Sequence, residues 1–320
     1  MIRPLRSALF GLACLIGIAA GATSCCAGAY PDHAVRWLIS VSPGGPIDRA
    51  TRIMAQYLSD RLGQAVIVEN RADAAAAEAI GAPPDGYTLL LSGAEDAFRA
   101  ARDKSTSVDI VSDTVPVAGF MQVALVLVMS SALPVKNLRE LLNFCKANPR
   151  RIAFASPGDD NAVQMSAELF RTMTGCEMVR IRYAGSALAY PDLVTNKVQL
   201  VFDTPQAAMD RAGRGHMHAV AVTSARRWPG LPDVPAITET VSGYESAGLY
   251  GVSMRNGTPP DIIDLLNRVV TEALNDPRLV ARLAELGGIP KPMRSAEFGK
   301  RLADQAETWR RLADIANAAE

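Results

Sequence analysis

The sequence predicts an α/β fold built as two lobes with mixed, mainly parallel sheets. Three observations carry that prediction. From Val35 onward, short apolar runs alternate with stretches whose apolar residues recur at helical spacing. The rhythm occurs twice, and each occurrence has the strand–helix–strand order that lays strands parallel. Glycine- and proline-bearing turns separate the elements, with no internal repeat and no low-complexity linker.

Residues 1–29 read as a cleavable export signal. Arg3 and Arg6 supply a positive start, Ala8 to Ala22 is almost wholly apolar, and Ala27-Gly28-Ala29 offers a small-residue cleavage site. The apolar run falls short of the roughly 20 residues that span a bilayer. An uncleaved anchor is one alternative. A lipid-modified terminus at Cys25 or Cys26 is another, although Ala22, Thr23 and Ser24 precede them without the usual leucine.

The first lobe opens with a strand over Val35 to Val41, a helix over Ile47 to Leu62 and a strand over Val66 to Glu69. A short helix over Ala74 to Ile80, a turn at Pro83-Pro84-Asp85-Gly86 and a strand over Tyr87 to Leu91 complete it. A strand over Val123 to Met129 leads to the second unit. There, helices over Asn137 to Ala147 and Ala162 to Met173 alternate with strands over Ile152 to Ala155 and Met178 to Tyr183. Helix Ala187 to Thr195, strand Val198 to Phe202, helix Pro205 to Ala212 and strand Ala219 to Thr223 extend it. Near Tyr250 the chain returns, with helices over Pro259 to Ala273, Pro277 to Leu286 and Ser295 to Ala316. Residues 30–128 with 250–320 thus form one lobe and 129–249 the other, with a hinge between them.

Composition narrows the partners. Hydrophobic residues make up 49% of the chain, enough to fill real cores, so disorder is excluded. Thirty-three basic residues balance 33 acidic ones without like-charge runs, which gives no footprint for nucleic acid or an anionic membrane. A monomer is expected. Two cysteines remain beyond the signal, Cys145 and Cys176; they could pair in an oxidising compartment or stay as buried thiols.

Two loops are the natural place for a ligand. Ser42-Pro43-Gly44-Gly45-Pro46-Ile47-Asp48 joins a strand's carboxyl end to a helix start, where glycine lets backbone N–H groups approach a ligand and the helix dipole favours negative charge. Ser156-Pro157-Gly158-Asp159-Asp160-Asn161 holds the same position in the second lobe. Tight turns also use glycine for geometry alone.

A longer series of motifs adds to this. Pro43-Gly44-Gly45 with Asp48, Leu62-Gly63-Gln64, Val68-Glu69-Asn70-Arg71 and Pro84-Asp85-Gly86-Tyr87-Thr88-Leu89-Leu90 occur in order. Tyr183, Gly185-Ser186, Phe202-Asp203-Thr204, Ala221-Val222-Thr223-Ser224 and Leu231-Pro232-Asp233-Val234-Pro235 follow. With these the chain resembles the Bug family, the substrate-binding proteins of tripartite tricarboxylate transporters, from Tyr30 to near Trp309. The resemblance implies a periplasmic binding protein of the type II fold that closes on a small organic acid and delivers it to membrane permease subunits. It also implies the ligand set Ser42, Gly44, Gly45 and Asp48 in the first lobe, and Ser156, Gly158, Asn161, Ser186, Asp203 and Thr204 in the second. Each has a plainer reading too: Asp48 and Ser186 can cap helices, and Asp203 can simply end a strand.

Departures from the family pattern bear on the ligand. Ala72-Asp73-Ala74-Ala75-Ala76-Ala77 replaces a glycine-rich loop, Ser40 stands where proline is usual, and Val41 replaces an aromatic residue. Pro46 removes one backbone donor. Asp159-Asp160 replaces small neutral residues, and Arg182 and Ala184 flank Tyr183 in place of proline and lysine. Two carboxylates at the second loop would repel a polyanion, so a monocarboxylate, an amino acid or an amide-bearing ligand is expected. The alternative is that both point to solvent.

Enzyme motifs are missing: there is no G-x-S-x-G elbow, no P-loop and no complete G-x-G-x-x-G. No cofactor is implied. His216 and His218 alternate at a strand start and could touch one metal, though a solvated strand edge explains them as well. A periplasmic sensor that signals to a membrane kinase would use the same cleft closure, and a hydrolase is the outside reading.

Overall fold

The computed structural model of the protein describes residues 30–93, 96, 108–156, 162–212 and 215–317; the expected export segment lies outside them. The described chain opens as β1 (Val35–Ile39), α1 (Pro46–Leu62), β2 (Val66–Asn70), α2 (Ala74–Gly81) and β3 (Thr88–Gly93). β1 lies between β2 and β3, parallel to both. Its Trp37, Leu38 and Ile39 are fully buried, as in strands that helices cover on both faces. Proline fits the first position of α1, where its missing N–H has no intrahelical partner to lose. Gly63, at φ +71°, ends that helix by donating its N–H to the Ser59 carbonyl.

The strand read over Val123 to Met129 takes in the last residue of one strand, a crossing and most of a second strand. β4 (Thr114–Val123) lies in the first sheet and β5 (Val126–Ser130) in the second, so the chain crosses at Ala124–Leu125. Residues on both sides of the crossing are apolar and mostly buried, so hydropathy carries no mark of it. The second unit continues with α3 (Leu138–Ala147), β6 (Ile152–Ser156), α4 (Ala162–Thr174) and β7 (Met178–Arg182). α5 (Ser186–Val194), β8 (Leu200–Asp203), α6 (Pro205–Ala212) and β9 (Met217–Val222) complete it. The chain returns through β10 (Gly248–Arg255), α7 (Pro260–Ala273), α8 (Pro277–Glu285), β11 (Gly288–Arg294) and α9 (Ser295–Asn317).

Among the described residues these strands form a six-stranded sheet, β11-β4-β10-β3-β1-β2, and a five-stranded sheet, β7-β6-β8-β5-β9. Both are mixed, and the parallel ladders are confined to β1 with β2 and β3 and to β6 with β7 and β8. Three strands of the first sheet were not read from the sequence: β10, β11 and, but for its last residue, β4. β11 carries Pro290 and Pro292, which its place at a sheet edge and a register shift between Pro290 and Met293 accommodate. β10 carries Gly251, where an added Cβ would lie 2.3 Å from the Phe298 ring and 2.5 Å from the Ala118 carbonyl; α9 presses on the sheet there.

Each sheet has its own core. The first gathers Trp37, Met54, Leu58, Leu89, Phe120, Leu266 and Leu283; the second gathers Leu127, Leu141, Phe154, Phe170, Phe202 and Tyr244. α9 serves both: Phe298 and Leu302 pack with Leu249 and Met293 of the first sheet, while Trp309 and Leu312 join the second core. Cys145 and Cys176 are disulfide-bonded, with Cα atoms 5.1 Å apart, tying the end of α3 to the approach of β7. No described helix is long and apolar enough to cross a membrane.

Candidate functional site

The site is built at the carboxyl ends of the parallel strands, where open α/β sheets leave room for ligands. In the first lobe, β1 ends at Ile39 and the chain turns through Ser42 to Gly45 into α1. Gly44 takes φ +79°, a conformation that favours glycine, and Gly45 sits extended at the helix cap. No side chain caps α1, so its first-turn N–H groups open toward the loop, while Asp48 in the same turn sets a carboxylate at the positive end of the dipole. Ser42 and Gly44 are exposed beside that helix end.

Asp48 holds this loop in place. It is 3% exposed, and its carboxylate accepts from the Gly44 N–H (2.9 Å), from Asn70 Nδ2 (2.9 Å) and from the Arg52 guanidinium (3.0 Å). Asn70 also donates to the Val41 carbonyl at 3.0 Å and accepts from Arg52 at 2.8 Å. Burial pushes the Asp48 carboxyl up, but the donors from Arg52, Asn70 and Gly44 outweigh it and hold it below the ordinary carboxylate range. The Gly44 N–H is therefore engaged with Asp48. Asp48 itself positions the loop through the end of β2.

In the second lobe, parallel pairing aligns the ends of β6, β7 and β8, with Ser156 opposite Arg182 and Ala155 opposite Val201. Ser156 is fully buried, and its carbonyl accepts the Tyr183 N–H at 2.9 Å. Gly158 and Asn161, with Asp159 and Asp160, lie outside the described residues. Ser186 begins α5 directly after Gly185. Asp203, 6% exposed, closes β8: it accepts from the Tyr190 hydroxyl at 2.9 Å and from the Thr204 N–H at 2.8 Å. Arg211 approaches the same carboxylate at 3.9 Å and lies over the Tyr190 ring at 4.4 Å. Burial, then the neighbouring Asp203 charge, raises the Tyr190 hydroxyl's pKa and keeps it a donor. Thr204 caps α6, its hydroxyl accepting the Ala207 N–H at 3.3 Å.

Ser42, Gly44, Gly45 and Asp48 thus come together at one sheet end, and Ser156, Ser186, Asp203 and Thr204 share the corresponding end of the other. The residues sequence reasoning missed are the braces. Arg52 lies four residues after Asp48 on one helix face, a spacing that could have flagged it, and Asn70 stood inside a quoted motif. Tyr190 and Arg211 carry no local signal. His218 is half-buried in β9, its pKa lowered by burial, and no described group of His, Cys, Asp and Glu could hold a metal ion.

Comparison with known proteins decides the family. Residues 50–317 match the family described as tripartite tricarboxylate transporter family receptor. The chain belongs to that family. Its members are periplasmic solute-binding receptors. The chain is 32% identical to protein BugT of Bordetella pertussis over 88% of this chain and 88% of that one. A solved structure of Rpa4515 from R. palustris with adipate is 28% identical, covers 90% of this chain and 98% of that one, and has a TM-score of 0.73. A TctC solute-binding protein from Polaromonas, 21% identical, shares the fold with a TM-score of 0.79 over 89% of this chain and 99% of that one. The α/β two-lobed binding-protein fold expected from sequence is therefore established, and so is the Bug-type receptor family.

Proposed function

We propose that this chain is exported to the periplasm by residues 1–29, captures a small carboxylate between its lobes, and presents it to membrane permease subunits. The observation that carries this reading is the uncapped α1 N-terminus beside exposed Ser42, in a loop that Asp48 fixes at the carboxyl end of a parallel sheet. Such an end favours an anion and donates to it without rearrangement. Support also comes from the relative solved with adipate. In the second lobe, the segment from Ser156 through Asn161, the start of α5 at Ser186, and Asp203 with Thr204 close on the same ligand.

The two sheets are joined by crossings at Ala124–Leu125 and near Ser246. Lobe closure is a hinge movement at these two strands. Native mass spectrometry of the protein purified from cells expressing the full chain, followed by thermal-shift screening, tests the function. One bound carboxylate-bearing molecule per chain, with matching thermal stabilisation, is expected. A protein that carries no ligand and is stabilised by no carboxylate sinks the reading, and turnover of a bound ester or amide replaces it with a hydrolase.

A further inference from the structure

We infer that a cavity beneath α9, outside the cleft, is a second binding site and takes an amino acid zwitterion with an apolar side chain. The cavity has a volume of about 380 Å³, within the range of small-molecule pockets. Arg301, Asp304 and Gln305 line it from α9 at i, i+3 and i+4, the spacing of one helix face. Glu245 lines it from the approach to the Ser246 crossing, and Met173 from the last turn of α4. A helix face turned toward the protein ordinarily carries apolar residues, and this one carries charge. Gln305 holds the face there: its Nε2 donates to the Ala247 carbonyl at 2.9 Å, just past the crossing, while its Oε1 is buried without a hydrogen bond.

The charges on this wall are loosely matched by the protein itself. Among the described residues the Arg301 guanidinium pairs only with Glu245, at 3.8 Å, beyond hydrogen-bond reach. Glu245 accepts only from Gln122 Nε2, at a long 3.5 Å, and Lys291 nearby donates to Gln122 Oε1 at 3.3 Å. Asp304 is taken up by Lys300 at 2.8 Å. One cation and one anion thus face the same space without bonding each other, and their side chains keep 39% and 30% exposure, enough to meet a ligand. A guanidinium grips a carboxylate in bidentate fashion, and a carboxylate accepts from an ammonium. A ligand that carries both groups on one carbon satisfies Arg301 and Glu245 together, whereas a singly charged one meets like charge at one of them. Met173, 38% exposed, and the Trp309 ring supply apolar wall for the ligand's side chain.

Hydrogen–deuterium exchange on the purified chain, titrated with L-leucine, L-methionine and L-phenylalanine, tests this. At least one of the three is expected to slow exchange at residues 243–247 and 301–309 together. The concentration that gives half of that protection is expected to rise about tenfold or more when the ligand is replaced by its des-amino acid or by its amide, as suits the loss of a charged hydrogen bond. Arg301→Gln is expected to raise it by a similar factor. Protection confined to residues 42–49 and 156–162, or no protection by any of the three, overturns the inference. So does equal protection by the des-amino acid or the amide, or an unchanged titration in a folded Arg301→Gln. Should that variant fail to fold, the exchange map and the two analogues of the wild-type ligand still decide. None of these outcomes bears on the carboxylate cleft, which the inference does not use.

Discussion

Asp48 shows how one buried carboxylate can hold a loop in place. Its carboxylate is buried because three sets of donors surround it, and those donors fix the glycine turn, the first turn of α1 and the end of β2 together. Replacing it with asparagine turns one acceptor into a donor facing Arg52, Asn70 and the Gly44 N–H. Asp48→Asn is expected to lose about 2–3 kcal/mol of stability at pH 7, measured by urea unfolding. The sign with pH follows from its depressed pKa: the stabilisation is fully present above the unfolded-state value near 4 and fades as pH falls toward the lower folded value. The gap between wild type and variant should therefore narrow below about pH 4; a gap that stays constant into acid would show that the carboxylate charge is not what stabilises the loop. Asp48 and Asp203 could be marked as important from the sequence, because strand–loop–helix junctions are legible. Of their partners, Arg52 carries the helical i,i+4 spacing to Asp48, whereas Tyr190 is 13 residues from Asp203, a contact that no helical or strand period announces.

The elements that the sequence made legible are those whose partners are near in the chain. β1-α1-β2-α2-β3 and β6-α4-β7 are read from local periodicity, and their parallel pairing follows from the intervening helices. β4, β10 and β11 pair across long separations, Gly248 with Val123 and Gly288 with the same residue, so nothing local marks them. β11 was further hidden by its two prolines. The sequence also left the cysteines open between a bond and two buried thiols, since pairing depends on how α3 and the approach to β7 are placed. Joining positions 31 residues apart, the disulfide limits the unfolded chain. Replacing both cysteines with alanine is expected to cost roughly 3–4 kcal/mol by the loop-entropy relation. A double variant with an unchanged urea midpoint would contradict that.

At the scale of the whole molecule, Thr223 joins both crossings. Its hydroxyl accepts the Leu125 N–H at 2.8 Å, its own N–H donates to the Leu125 carbonyl at 2.8 Å, and its carbonyl accepts the Ser246 N–H at 2.9 Å. Ser246 in turn shares a 2.7 Å hydroxyl bond with Ser166 on α4, the helix that follows the second ligand segment. With α9 packed against both cores, two hydrogen-bonded crossings and one long helix link the lobes, and the closure proposed above would turn about them. The central claim is that one small carboxylate bridges residues 42–49 and 156–162 and closes the lobes. Hydrogen–deuterium exchange with and without the ligand identified by mass spectrometry tests it most directly. The account predicts that adding ligand slows exchange in both segments together. Protection confined to a single segment, or found only away from the two sheet ends, would contradict it.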